Sequence, residues 1–363
     1  MTAYPPVTLN HLLRMTDDTG IIQHALFAVP DPVHGYSVDD QARALMVSVA
    51  HARLAGDVRS PRCAFTYLSF LRLAANQDGS FHNFLSFDRR WLDDRGSDDS
   101  QGRVWWALAQ SARFGREPGF AYAAAKLFDT SIAAASRLQS PRSWANTIFG
   151  LYHRQQSSPS VDQLTLLHEL AGRLVSSYEA VSGPEWRWFE PRLTYCNGSL
   201  PAALLLAHEI TGDSRYRAIG LEALDWLFTE LFAGNGDLNL VGQDGWYPRG
   251  GTRAIFDQQC VDAQGTVEAS LIAFRLTDEP RWREHALAAF EWLHGRNVHG
   301  LSLLDPLTGG CYDGLTRIGL NLNMGAESIV CYLLAYLDLA EAGILTLDGE
   351  LCGQPAPMHE RSP

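Results

Sequence analysis

Hydrophobic and polar positions alternate along most of this chain with the period of an α-helix, and the two-residue alternation of strands is scarce. Six segments share one design: a polar or acidic opening, then small residues, then an apolar run with few further charges. They begin at Val38 (VDDQARALMVSVAHARLAG), Ser97 (SDDSQGRVWWALAQSARFG), Ser143 (SWANTIFGLYHRQ), Cys196 (CNGSLPAALLLAHEITGD), Val261 (VDAQGTVEASLIAFRLTD) and Asn321 (NLNMGAESIVCYLLAYLDLA). A helix with so few charges is one buried on most sides. Between them lie segments with one charged and one apolar face, such as SRYRAIGLEALDWLFTELF from Ser214 and PRWREHALAAFEWLHGR from Pro280. These suit an outer helix with one wet side.

Link lengths alternate in step. From an inner-type helix to the next outer one the links are short: GDVRSP, GREPG, GDSR and DEPR. From outer back to inner they are long, at residues 77–97, 181–196, 233–261 and 298–321, with the link at 139–143 as the exception. TLNHLLRM, near the N-terminus, supplies the outer partner of the last inner helix. The pattern predicts an all-α fold over residues 1–347, an (α/α)6 barrel of six helical hairpins with the long loops at one mouth. A polar, Pro-rich and loosely ordered tail is expected at 348–363. An open helical solenoid is the competing architecture, but such arrays keep a tighter period and lack long loops.

Composition works mainly by exclusion. With 363 residues, 46% of them hydrophobic, the chain can bury a large core. Its 41 acidic against 29 basic residues leave a net charge of −12, which argues against nucleic-acid and anionic-membrane partners. No basic segment followed by an apolar one opens the chain, and no run is apolar enough to cross a membrane. The six cysteines show no metal-finger spacing, so reduced thiols in a cytoplasmic protein are expected. No phosphate-cradling glycine loop, HExxH motif or GxSxG elbow occurs, so neither a metal nor a cofactor is expected.

The inner-helix openings and the long loops converge on one mouth, and loops carried on a rigid scaffold are where function concentrates. Asp39 and Asp40 open the first inner helix, with Arg43 on the face of Asp40. One aspartate can cap the helix, which leaves a second with less structural work. Asp98 and Asp99 repeat the theme one hairpin later, and Asp262 repeats it again. The loops add His82 and Asn83, then Trp188 and Glu190, then Trp246, Tyr247 and Arg249, while Glu327 opens the last inner helix and His24 and Tyr36 precede the first. Sugar rings stack their C–H faces on Trp and Tyr, and their hydroxyls bond to Asp, Asn and Arg. Cleaving a glycosidic bond needs a carboxylic acid on one side and a carboxylate opposite. Asp40, Asp98, Asp99, Glu190 and Asp262 are therefore the candidates for acid and base. Asp39, Arg43, His24, Tyr36, His82, Asn83, Trp188, Trp246, Tyr247, Arg249 and Glu327 are the candidates for binding substrate. For each carboxylate the plain alternative is a cap or an ion pair.

The stretch TDDTGIIQHALFAVPDPVHGYSVDDQARAL, residues 16–45, resembles a bacterial protein group with a D-x-T-G-I-x-Q-H-A motif followed by G-Y-x-x-D-D-x-A-R. The matching positions are Asp17, Thr19, Gly20, Ile21, Gln23, His24, Ala25, Gly35, Tyr36, Asp39, Asp40, Ala42 and Arg43. The resemblance implies an (α/α)6-barrel carbohydrate-active protein, of a kind that is fused to glycosyltransferases in some relatives and accompanies mannoside-processing proteins. The hairpins here leave no room for a transferase domain. More broadly the layout is similar to the barrels of glycoside hydrolases, sugar 2-epimerases and unsaturated-uronyl hydrolases. The expected activity is hydrolysis of a short oligosaccharide, with a mannoside as first candidate, by an inverting acid–base pair. A sugar epimerase or isomerase is the alternative, disfavoured because no paired histidines sit on inner helices. A non-catalytic glycan-binding module is the third reading.

Overall fold

The computed structural model describes residues 4–57 and 61–352. Twelve α-helices among them alternate between two shells. The outer helices are α1 (Asn10–Arg14), α3 (Arg62–Leu73), α5 (Pro118–Ser131), α7 (Val161–Val181), α9 (Ser214–Leu231) and α11 (Pro280–Leu293). The inner ones are α2 (Val38–Leu54), α4 (Asp98–Phe114), α6 (Pro141–Ser157), α8 (Ser199–Thr211), α10 (Cys260–Thr277) and α12 (Ala326–Glu341). Each inner helix packs on the next, and α12 closes the ring onto α2. The outer helices α3, α5, α7, α9 and α11 pack on the inner helices before them, and α1 packs on α12. This is the (α/α)6 barrel that the hairpin pattern predicts.

Burial follows the same division. Every residue of α2 from Asp40 to Ala50 is buried, whereas α3 buries one face only. Small residues let the inner ring close tightly. A Cβ on Gly102 of α4 would lie 2.6 Å from the Ser143 carbonyl of α6, and one on Gly150 of α6 would lie 2.9 Å from the Trp105 carbonyl. Helix starts shift from expectation where a local feature intervenes. Pro141 takes the first-turn position of α6, where its missing N–H costs nothing. The last inner helix begins at Ala326 rather than Asn321, because Asn321 is held by Gly314 and Asn323 bridges to Phe27.

The mouth loops brace one another with short strands. Tyr36–Ser37 pairs with Phe84–Leu85, Arg192–Leu193 with Tyr247–Pro248, and Gln258–Gln259 with Gly314–Thr316, all antiparallel. Runs of two or three residues carry no alternation that a sequence could reveal. Asp348 to Cys352, expected to be loosely ordered, are tied down: Gly349 O accepts from Tyr4 N at 2.9 Å and Cys352 N donates to Ile344 O at 2.9 Å. The rest of that tail, 353–363, lies outside the described residues. Among the described residues no helix is long and apolar enough to cross a membrane.

Candidate active site

The site grows from the first turn of α2. Ser37 caps the helix: its Oγ accepts from Asp40 N at 3.0 Å and donates to the Asp40 carboxylate at 2.7 Å. Arg43, one turn on and only 1% exposed, reaches back along the same face. Its Nη2 touches Asp39, lies 3.3 Å from Asp40 Oδ1 and 2.7 Å from Glu327 Oε2 at the start of α12. From the other side, Arg103 of α4 donates Nε to Asp39 Oδ1 at 2.9 Å. One guanidinium thus gathers three carboxylates, and the strand-like entry to α2 and the ring closure by α12 supply them.

These neighbours drive the two adjacent aspartates apart. Burial pushes both carboxyls up. For Asp39, Arg103 and Arg43 more than reverse the effect, and it is held below the ordinary carboxylate range. For Asp40, burial outweighs the pull of Arg43, and the charges on Asp39 and Glu327 add to it, so the carboxyl rises to about 7. Asp313, on the loop before α12, is raised to about 6 by burial and then by Glu327. Below about pH 7 the site therefore holds an ionised Asp39 beside an Asp40 that still carries its proton.

A cavity of about 300 Å³ opens over this cluster. Of the residues expected from the sequence it gathers His24, Asp39, Asp40, Arg43, Asn83, Asp99 and Glu327. Asp99 accepts from Ser140 Oγ at 2.6 Å and from the Tyr195 hydroxyl. Arg103, Tyr195, Gln259 and Asp313 line the same cavity and were not among the expected residues. Arg103 repeats the i+4 position of Arg43 in the second acidic opening, a signal present in the sequence. Asp313 stands out only once α12 has closed onto α2.

Other expected residues lie elsewhere. Asp98 accepts from Gln139 N at 2.6 Å and from Arg95 at 3.0 Å, so it secures the link into α6. Glu190 pairs with the buried Arg142 at 2.8 Å, which also bonds the Tyr195 carbonyl and pins the loop ahead of α8. The Tyr36 ring is 1% exposed and its hydroxyl donates to Asp17 at 2.6 Å. His82 stacks on Trp91 at 4.5 Å with Nδ1 2.6 Å from Asp93 O. Trp246 packs behind Tyr195, with ring centroids 6.1 Å apart. Tyr247 and Arg249 line a separate cavity of about 610 Å³ with Glu185 and Trp186.

Trp188 departs furthest from expectation. It is fully buried, packed on Phe189 and Trp226, and has no face for a sugar. Trp188→Ala is expected to cost about 3–5 kcal/mol of stability, as large-to-small core changes do. Denaturant unfolding measures the loss, and turnover by the folded fraction should be unchanged.

Asp262 does not line the cavity. Its Oδ1 accepts from Cys196 N at 2.7 Å, while its buried Oδ2 has no partner among the described residues. Burial raises this carboxyl to about 7, against about 3.9 when unfolded. A carboxyl whose folded pKa is raised contributes stability that is lost as pH climbs from the unfolded value through the folded one. Asp262→Asn removes that loss, so its melting temperature should exceed the parent's by a few degrees at about pH 8 and by less at about pH 5. A hundredfold drop in turnover would instead mark Asp262 as catalytic.

The acidic echoes have a second content. Gln41 brackets the backbone of Ile21, its Oε1 accepting at 2.9 Å and its Nε2 donating at 2.8 Å. Gln101 does the same to Phe81, both at 2.7 Å. Each glutamine clamps the loop that leads into its own helix.

No protein-family description matches the sequence, and no curated protein does either. Solved structures match over nearly its whole length. A cellobiose 2-epimerase from Bacillus thermoamylovorans superposes with a TM-score of 0.69 at 11% identity, covering 91% of this chain and 95% of its own. A D-mannose isomerase gives 0.66 at 12% identity, over 91% and 94%. An α-1,6-mannanase of Salegentibacter sp., in an inactive variant with two adjacent aspartates changed to alanine and in complex with α-1,6-mannotetrose, gives 0.61 at 12% identity, over 92% and 96%. The chain has the barrel fold of carbohydrate-active enzymes. Among the described residues no group of three or more His, Cys, Asp or Glu side chains is placed to hold a metal ion.

Proposed function

We propose that this protein is a glycoside hydrolase that cleaves a short oligosaccharide, a mannoside first among candidates, with inversion at the anomeric carbon. The observation that carries this reading is the split between Asp40 and Asp39, since environments that push neighbouring carboxyls apart let one serve as a proton donor while the other stays charged. Asp40 is the general acid and gives its proton to the glycosidic oxygen as the C–O bond breaks. Asp39, ionised between two arginines, stabilises the positive charge that develops on the sugar ring. Asp313 is the base: it takes a proton from the water that attacks the opposite face, and the products are a hemiacetal and an alcohol. Arg43, Arg103, Asn83 and Tyr195 offer hydrogen bonds to sugar hydroxyls. The mannanase that shares the fold and binds α-1,6-mannotetrose supports a mannoside. Cysteines with no disulfide among the described residues support a reducing, cytoplasmic setting.

Incubation with manno-, gluco- and xylo-oligosaccharides, followed by mass spectrometry and anomer-resolved NMR, tests the reading. Shorter products with the inverted anomer formed first are expected. A product of unchanged mass with new anomeric signals would make the protein an epimerase, and saturable binding without turnover would make it a glycan-binding module.

A further inference from the structure

His24 lines the cavity from the hairpin His24–Leu26 and Val29–Asp31. Its Nδ1 lies 3.0 Å from Nδ2 of Asn323. Which of these atoms carries the proton follows from the rest of the contact. Asn323 Oδ1 accepts from the Ala25 N–H at 2.9 Å. A backbone N–H can only donate, so the oxygen of this amide is fixed, and its nitrogen must face His24. The backbone carbonyl of Asn323 accepts from Asp313 N at 2.8 Å, which holds the residue in place. An amide N–H likewise can only donate, so Nδ1 of His24 is the acceptor. The neutral ring then carries its proton on Nε2. Among the described residues Nε2 has no hydrogen-bond partner.

We propose that His24 is a specificity-determining donor, locked by Asn323 in the Nε2–H form so that it offers one fixed N–H to a hydroxyl or ring oxygen of the sugar. The proposal rests on the sugar-site reading above. Its surroundings favour the neutral ring: burial lowers the imidazole below its ordinary value, His34 packed edge-on at 4.7 Å adds to this, and Asp31 and Glu327 oppose it. A ring already protonated on Nε2 is not a base toward substrate. Asn323 is a positioning residue in this scheme, and Asp313 is its other charged neighbour.

Two-bond ¹H–¹⁵N NMR of the imidazoles reads the tautomer directly, with His24 assigned by its absence in His24→Gln. The expected result is the Nε2–H form in the unliganded protein and a His24 signal that shifts saturably with mannobiose. In Asn323→Asp the new carboxylate can only accept from Nδ1, so the ring should gain a proton there and titrate at higher pH. His24→Ala should weaken mannobiose binding about five- to tenfold, the loss of one neutral hydrogen bond. His24→Gln should recover most of it, because its amide N–H reaches the Nε2 position. An Nδ1–H ring in the parent protein would overturn the proposal, as would an unchanged tautomer in Asn323→Asp or a His24 signal indifferent to bound sugar. Failure of the sugar-site reading looks different: no sugar of the panel binds the parent protein, while the tautomer is still read from the unliganded spectra.

Discussion

Asp40→Asn is expected to lower kcat/KM on a natural oligosaccharide by about a hundred- to ten-thousandfold, the range of a lost general acid. The parent enzyme should show a narrow bell against pH. In the proposed mechanism activity should rise as Asp313, at about 6, loses its proton and becomes a base. It should fall as Asp40, at about 7, loses the proton that role requires. Both groups are in the working state only between these values, so the optimum is sharp and slightly acid. In Asp40→Asn the alkaline limb should vanish, because the group that titrates there is gone. An aryl mannoside whose leaving phenol is as acidic as dinitrophenol needs no proton, so the variant should recover most of its loss on that substrate. Equal losses on both substrates would remove Asp40 from the acid role and leave it a structural partner of Ser37 and Arg43.

The barrel is legible in the chain because burial on most sides strips an inner helix of charge, and link length reports which end a loop occupies. The site is legible only in part, because its motifs carry two messages. In Asp39-Asp40-Gln41-Ala42-Arg43 the carboxylates and the arginine face the cavity, while the glutamine clamps Ile21. In the second echo Asp99 and Arg103 face it, Gln101 clamps Phe81, and Asp98 holds the link into α6. Trp188 and Glu190 sit in a loop rich in aromatic and charged residues, which has the composition of a sugar platform. Nothing local separates a tryptophan pressed onto Trp226 from an exposed one, or a free glutamate from one paired with an arginine 48 positions away. The contacts that decide their roles come from other hairpins.

The loss of Arg43 should also be felt strongly in stability. Arg43→Met keeps much of the volume and removes the charge that gathers Asp39, Asp40 and Glu327. Removing one partner from a buried ion cluster costs about 3–5 kcal/mol, because the remaining charges stay desolvated. The pH dependence separates this cause from packing. Without Arg43 the folded-state pKa of Asp40, already above its unfolded value, rises further, and that of Asp39, which the two arginines hold below the ordinary range, rises as well. For Asp40 stability is present below the unfolded pKa and lost as pH rises through the folded one, whereas the depressed Asp39 gives the parent stability above its unfolded pKa that the variant forfeits. The deficit of the variant should therefore be largest at about pH 8 and should shrink toward about pH 5, where the carboxyls take up protons. Arg43→Lys should fall between, since an ammonium keeps the charge but lacks the planar fork that Arg43 sets among its partners. Denaturant unfolding of the three proteins at both pH values measures this. A deficit equal at the two would make Arg43 a packing residue. A deficit that grows with pH would make it the counter-ion that keeps Asp39 charged and limits the rise of Asp40, one residue away.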